Sequence, residues 1–175
     1  NPNDSEAYYN LGNIFNKKSL FDDAVASYKK ALAIHPQDAE VFHNLGNTYA
    51  NKGMIDDAIS AYRKAVEINP NLAESHKSIA YLYKKKGQIS ESVSSFEKAT
   101  TFHPKDTNLL FDLASLYESN GLQDNAILTY KKLLSIDPAH KGAKNSLAML
   151  YNSKGVSLAL QGKTDDAIAA YKDAL

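Results

Sequence analysis

The chain has 175 residues, with 20 basic and 20 acidic side chains, so it carries no net charge when histidine is neutral. A balanced chain of this kind is a poor candidate for coating nucleic acid or an anionic membrane surface. The absence of cysteine excludes disulfides, thiolate metal sites and cysteine nucleophiles, and no apolar run approaches the ~20 residues that span a bilayer.

The prolines divide the chain into equal segments. All five lie on one ladder with a 34-residue interval, at Pro2, Pro36, Pro70, Pro104 and Pro138. Between consecutive prolines, apolar residues recur three and four positions apart, which predicts helices. Each interval holds two such segments, and a short break separates them at Ser19, Gly53, Gly87, Gly121 and Gly162. Glycine supplies the positive φ that ends a helix, so the first break, which has serine, is predicted to be slightly strained or differently shaped.

The second segment of each interval opens with a polar residue that can cap a helix. These residues are Asp22, Asp56, Ser90, Asp124 and Asp165. The segment closes at the proline, which cannot continue a helix. Each interval therefore predicts a helix, a turn, a second helix and a second turn.

Small and aromatic residues recur at fixed places within the intervals. The second helices carry an aromatic stripe at Tyr28, Tyr62, Phe96 and Tyr130, and small residues such as Gly12, Ala24 and Ala31 allow close helix approach. With the proline ladder, this pattern resembles the tetratricopeptide-repeat family over essentially the whole chain. The resemblance implies an all-α, right-handed α-solenoid of about five helix-turn-helix repeats. The repeats are predicted at residues 5–38, 39–72, 73–106, 107–140 and 141–175, after an upstream repeat's tail at 1–4.

The fifth repeat is out of step with the others. "DDAIAAYKDAL" at 165–175 repeats "DDAVASYKKAL" at 22–32, but seven residues later than the 34-residue interval predicts. Seven residues make about two helical turns, so we expect a lengthened first helix at residues 141–160. Both frames fit its sequence equally well, and a bend or short loop at Gly155 is the alternative.

The two ends of the sequence suggest a segment of a longer protein. Residues 1–4 resemble the loop that closes a repeat, and the other end falls within a second helix. The lengthened helix carries Val156, Leu158 and Leu160, which have too few local partners to be buried. We therefore expect self-association there, as a homodimer or by end-to-end stacking. The alternative is that the contact results from truncation, because a downstream helix would cover the same surface.

The first helices of the family line a concave groove. Transferred by position, the groove residues of this chain are Tyr9, Asn10, Asn13, His43, Asn44, Asn47, Lys77, Tyr81 and Phe111. Asn10 with Asn44, and Asn13 with Asn47, form two short amide rows that are expected to face solvent. Amides can donate to and accept from a peptide backbone without reading its side chains.

Catalytic signatures are absent from the sequence. It has no glycine-rich phosphate loop, no paired-histidine zinc motif and no serine nucleophile motif, and its five histidines lack metal-ligand spacing. We expect no cofactor, no metal and no catalytic residue, and we favour a cytoplasmic location. The chaperone-binding carboxylate clamp of the family is rejected because Tyr9, Glu74 and Ser78 stand where basic residues are required.

Two functional hypotheses follow from the sequence. The first is a non-catalytic scaffold that binds a peptide or a segment of a partner protein in the groove. The alternative is the substrate-recognition arm of a larger enzyme, because the repeated "NLGN" resembles the asparagine-lined repeats of O-linked N-acetylglucosamine transferases. A catalytic domain after Leu175 in the full-length gene would favour the alternative.

Overall fold

The computed structural model describes residues 4–175, so most of the predicted tail at 1–4 lies outside the described residues. Over that range the chain forms ten α-helices and no strand. The helices are α1 (Ser5–Lys17), α2 (Phe21–Ile34), α3 (Ala39–Asn51), α4 (Ile55–Ile68), α5 (Ala73–Lys85), α6 (Ile89–Phe102), α7 (Thr107–Ser119), α8 (Gln123–Ile136), α9 (Lys141–Leu160) and α10 (Thr164–Asp173). The all-α prediction is confirmed.

The chain divides into two compact units. Unit 1 ends at Phe102, and unit 2 comprises His103–Leu175. Unit 1 contains three helical hairpins, α1–α2, α3–α4 and α5–α6, and the second helix of each packs on the first helix of the next. Unit 2 contains the hairpins α7–α8 and α9–α10, with α8 packed on α9. Each unit thus has the predicted helix-turn-helix organisation.

The caps predicted for four of the second helices are wrong, because α2, α4, α8 and α10 have at the N-cap residues that make no side-chain cap hydrogen bond: Leu20, Met54, Leu122 and Lys163. The predicted aspartates of these helices lie in the first turn, where they favour the positive end of the helix dipole.

Aspartate side chains do cap three of the first helices. Asp4, Asp38 and Asp106 cap α1, α3 and α7, where each side chain accepts hydrogen bonds from backbone N–H groups of the first turn. Gly53, with φ of 77°, supplies the left-handed residue between α3 and α4. These caps pair backbone groups that a helix end leaves open.

Among residues 4–175, Ser19 is the one non-glycine residue with a positive φ, which is 59°. It occupies the turn position that glycine holds in the other hairpins, so the strain predicted from the sequence is confirmed. A left-handed conformation costs a residue with a Cβ roughly 1–2 kcal/mol. The hairpin α1–α2 forms despite this cost.

Ser19→Gly is expected to raise the free energy of unfolding by about 0.5–1 kcal/mol, because glycine adopts a positive φ without strain. The gain is smaller than the strain itself, since glycine also increases the conformational entropy of the unfolded chain. Gly53→Ser is the matched control, since no atom would lie within 4 Å of the added Cβ. It should lower stability by about 1 kcal/mol through backbone strain alone. Urea denaturation followed by circular dichroism measures both. Equal stability of Ser19→Gly and the parent chain would contradict the strain.

Close packing within a hairpin depends on a small residue facing an aromatic ring. A Cβ at Gly12 would lie 2.6 Å from the Tyr28 ring, and a Cβ at Gly46 would lie 2.7 Å from the Tyr62 ring. These distances are too short for real atoms, so the rings occupy space that only glycine leaves. The ring of Tyr28 is completely buried.

Helix α9 is continuous over 20 residues, as the sequence predicted. A loop at Gly155 is wrong, because Gly155 lies inside the helix and Gly162, with φ of 76°, forms the turn. A Cβ at Gly155 would lie 2.7 Å from the Tyr171 ring. Gly155 therefore packs against α10 in the way that Gly12 packs against α2.

At Tyr151, one turn before Gly155, α9 keeps the original repeat frame. The Lys131 ammonium group lies 5.2 Å from the centre of the Tyr151 ring, and the Arg63 guanidinium group lies 5.8 Å from the Tyr83 ring. The two contacts join equivalent positions 20 residues apart. Tyr151 thus follows the original frame toward α8, whereas Gly155 follows the shifted frame toward α10. With its two extra turns, α9 can pack against α8 in the original frame and against α10 in the shifted frame.

Within residues 4–175, no helix combines the length and the apolar character needed to cross a membrane.

Candidate functional site

The predicted groove residues of unit 1 lie on α1, α3 and α5, and hydrogen bonds join several of them. The Tyr9 hydroxyl donates to Glu40 Oε1 at 2.8 Å and accepts from Asn44 Nδ2 at 2.9 Å. Thr48 Oγ1 donates to Asn16 Oδ1 at 3.2 Å. We call the set formed by Tyr9, Asn10, Asn13, His43, Asn44, Asn47, Lys77 and Tyr81 the inner face of unit 1.

The second row of asparagines is anchored by tyrosines from the second helices. The Tyr28 hydroxyl donates to Asn13 Oδ1, and the Tyr62 hydroxyl donates to Asn47 Oδ1, each at 2.6 Å. The sequence predicted amides that face solvent, but Asn13 and Asn47 are half-buried because each turns its oxygen inward to a tyrosine. The amide nitrogen of each side chain then points to other groups, and Asn47 Nδ2 donates to Asn44 Oδ1 at 3.4 Å.

The tyrosine hydroxyls remain protonated donors at neutral pH. Burial raises the pKa of Tyr28 to about 12, and the neighbouring Tyr9 adds to the rise. Burial likewise raises the pKa of Tyr62 and is the largest cause of the raised pKa of Tyr9. The orientation of the amides is therefore independent of pH in the physiological range.

The amide row ends at the third hairpin. Tyr81 and Phe96 occupy the positions of Asn13 and Tyr28 in the repeat. Phe96 has no hydroxyl, and Tyr81 meets it edge-on, with ring centres 5.1 Å apart and an interplanar angle of 82°. An aromatic pair thus replaces the hydroxyl–amide pair, and Lys77 beside it pairs with Glu74 at 3.5 Å.

His43 links α3 to α5. Its Nδ1 lies 2.8 Å from Ser75 Oγ, and its ring centre lies 5.4 Å from that of Tyr62. Burial lowers the pKa of His43, although the carboxylates of Glu74 and Glu40 oppose the shift. The ring is neutral at pH 7, so it can act as a flat aromatic contact or as a hydrogen-bonding group.

Within residues 4–175, no group of three histidine, aspartate or glutamate side chains could hold a metal ion.

In unit 2, the predicted groove residue Phe111 is half-buried. Its ring packs against His140, with ring centres 5.0 Å apart, and against Tyr130 at 5.8 Å. The Tyr130 hydroxyl lies 3.1 Å from Ser115 Oγ and donates to Glu118 Oε2 at 2.9 Å. Serine and glutamate here hold the hydroxyl that an asparagine holds in unit 1.

The residues predicted to self-associate do not share one surface. Val156 and Leu160 are exposed and lie one turn apart on the same side of α9, whereas Leu158 is half-buried on another side. Exposed Met149 lies two turns before Val156 on the same side. The sequence reasoning missed Met149, although its spacing of seven residues from Val156 was a readable signal.

Comparison with protein-family models identifies the family to which this helical-hairpin architecture belongs. Tetratricopeptide-repeat models match residues 39–72, 61–93 and 107–140, and a model described as TPR repeat matches residues 12–53. The chain belongs to the tetratricopeptide-repeat family. A comparison with curated proteins found no match.

Solved structures of tetratricopeptide proteins share the fold. A crystal structure of MamA protein is 27% identical, with a TM-score of 0.75 over 98% of this chain and 90% of the other. YrrB, described as a TPR protein with an unusual peptide-binding site, is 22% identical, with a TM-score of 0.70 over 99% of this chain and 86% of the other. MamA 41-end from Desulfovibrio magneticus RS-1 is 16% identical, with a TM-score of 0.71 over 97% of this chain and 92% of the other.

Proposed function

We propose that the chain is a non-catalytic interaction scaffold, and that the inner face of unit 1 binds an extended segment of a partner protein. The family and the fold support the scaffold role. The observation that carries the finer proposal is the pair of tyrosine-held amides, because fixed polar groups on an open face need no rearrangement before binding.

The chemistry of this face favours main-chain carbonyl oxygens of the partner. Asn13 and Asn47 each use Oδ1 to accept from a tyrosine, so each has amide N–H groups to offer, although one N–H of Asn47 already donates to Asn44 Oδ1 at 3.4 Å. Exposed Asn10 supplies another amide beside them. Donors directed at a peptide backbone hold it with little regard to side-chain identity.

Aromatic and basic side chains border the amides and would supply the remaining contacts. Tyr9, His43 and Tyr81 can pack on apolar or planar groups of the bound segment, and Lys77 can approach an acidic one. Phe111 is a further candidate contact in unit 2. YrrB, which shares the fold, is described as having a peptide-binding site. A substrate-recognition arm of a larger enzyme would use the same amides for its recognition step.

Isosteric replacement of the amides tests the proposal. Peptides selected on this chain from a displayed library of random sequence would serve as probes. Asn13→Asp and Asn47→Asp keep an oxygen for the tyrosine hydroxyl but replace the N–H donors with charge that repels carbonyl oxygens. Each change is expected to weaken peptide binding about tenfold or more, a cost of ~1.5–3 kcal/mol for a lost donor in a formed site.

Asn125→Asp on α8 is the matched control, because it makes the same chemical change at an exposed position of a second helix. Calorimetry measures the affinities, and circular dichroism checks that each variant is folded. Equal affinities for Asn13→Asp, Asn47→Asp and Asn125→Asp would show that the amides of Asn13 and Asn47 do not bind the peptide.

A further inference from the structure

A cavity in unit 1 opens where α4, α5 and α6 meet. Its volume is about 330 Å³, and side chains from all three helices line it. None of these side chains belongs to the inner face of unit 1. A ligand in this cavity and a peptide on the inner face would therefore use different residues.

The cavity carries positive charge that its neighbours do not neutralise. Arg63 and Lys98 line it and are exposed, and within residues 4–175 neither takes part in an ion pair. The Arg63 guanidinium group lies over the Tyr83 ring, 5.8 Å from its centre, a contact that leaves its N–H groups available as donors. Among the lining residues within 4–175, Glu91 is the one carboxylate. The two cations thus outnumber the anion.

Two of the lining residues depart from the repeat pattern. His76 holds the position that Tyr8, Phe42 and Leu110 hold in other hairpins. Ser90 holds the position at which the other second helices have aspartate. The third hairpin has therefore gained an imidazole and lost a carboxylate at the same cavity. Both changes favour an anionic ligand there.

His76 is held in place at the cavity. Its Nε2 lies 3.1 Å from the carbonyl oxygen of Pro70, and its ring stacks on Phe102 with ring centres 5.6 Å apart. A carbonyl oxygen only accepts, so Nε2 carries a proton and donates. Burial lowers the pKa of His76, the Pro70 carbonyl opposes the shift, and the charge of Lys98 adds to it. Lys98 therefore lies close enough to His76 to act on its charge.

The interior of the cavity is apolar. Ile79 and Tyr83 line it and are buried, and Val66 is half-buried beside them. Exposed Ser90 and Ser94 lie nearer to solvent and offer hydroxyl donors. An apolar interior with basic and hydroxyl groups at the mouth suits a ligand that has an anionic end and an apolar group.

From these features we propose that the cavity binds a phosphate monoester. The phosphate oxygens accept hydrogen bonds from Arg63 and Lys98 at the mouth, and the organic group packs on Ile79 in the interior. A phosphate group presents three strong acceptor oxygens, which can engage guanidinium, ammonium and hydroxyl donors together. The binding of this ligand is a property additional to the peptide recognition proposed for the inner face of unit 1.

Calorimetric titration of the 175-residue chain with phenyl phosphate, inorganic phosphate and phenol, at constant ionic strength, tests the proposal. Phenyl phosphate should bind most tightly, because it alone reaches both the basic mouth and the apolar interior. Arg63→Gln and Lys98→Gln should each weaken its binding about fivefold or more, since each removes a charged donor. Glu91→Gln should strengthen its binding about threefold, because the change removes a carboxylate that repels the phosphate.

His76 provides an independent readout. Its pKa, followed by NMR, should rise when phenyl phosphate is added, because the bound anion offsets the charge of Lys98. The charged groups that share the cavity with His76 are Arg63 of α4 and Lys98 and Glu91 of α6. The ring signals of His35, which is exposed and lies outside this cavity, should not change.

Lys132→Gln is the matched control. Lys132 holds the place of Lys98 one repeat later, is exposed on α8, and lies outside the cavity. Circular dichroism establishes that each variant is folded. Equal losses of affinity in Lys98→Gln and Lys132→Gln would show attraction by overall charge alone and overturn the proposal. Absence of phenyl phosphate binding at millimolar concentration, or equal affinities for phenyl phosphate and inorganic phosphate, would overturn it as well.

Discussion

Tyr28→Ala is expected to lower the free energy of unfolding of unit 1 by about 3–5 kcal/mol, the usual cost of deleting a fully buried aromatic ring. The ring is completely buried and fills the space that Gly12 leaves. Its hydroxyl also donates to Asn13. The change would therefore leave a cavity between two helices and remove the group that orients the amide.

Tyr171→Ala is the matched control for this prediction. Tyr171 has the same position in its repeat and the same glycine contact, at Gly155, but it is partly exposed. Its loss should cost no more than about 1–2 kcal/mol, because less apolar area is removed from contact. Backbone hydrogen exchange, read by mass spectrometry on peptides from each unit, would show which unit each change affects. Equal costs at the two positions would mean that ring burial is not the source of the stability.

Gly46→Val is expected to destabilise unit 1 by about 2–4 kcal/mol. The new side chain would overlap the Tyr62 ring, which lies 2.7 Å from the Cβ position and is itself buried. Overpacking a site that cannot relax costs typically 1–3 kcal/mol, and a β-branched residue adds more atoms to the clash. Thermal melting of the folded chain measures the loss.

Gly46→Ala provides the graded control. The repeat itself holds alanine at this position in α5 and α7, where Ala80 and Ala114 are completely buried. A hairpin can therefore open enough for one methyl group, and alanine's helix propensity recovers about 1 kcal/mol. The net change for Gly46→Ala should be about 1 kcal/mol or less. A loss as large as that of Gly46→Val would show that the α3–α4 spacing is fixed.

The tyrosines of the second helices contribute to stability and also orient the amides of the proposed binding site. The rings of Tyr28 and Tyr62 fill the hairpin cores, and their hydroxyls hold Asn13 and Asn47. Deleting a ring therefore perturbs both properties. The asparagine-to-aspartate changes separate them, because an oxygen remains in place for the hydroxyl while the donor is lost.

The sequence by itself determined the helices, their pairing and the length of α9. These features depend on local chemistry. Each proline of the 34-residue series, each turn glycine and the helical spacing of apolar residues acts on the one or two turns of chain around it. The strain at Ser19 was likewise readable, because only its residue type differs from the turn glycines.

Only the tertiary structure decided the frame of α9 and the orientation of the asparagines. Both frames fit the sequence of α9 equally well, and the structure uses both: Tyr151 keeps the original frame toward α8, and Gly155 takes the shifted frame against the ring of Tyr171 on α10. The amides of Asn13 and Asn47 could have faced either way, until hydroxyls 15 residues later in the chain engaged their oxygens. Such choices depend on distances between helices, which periodicity along a single helix does not contain.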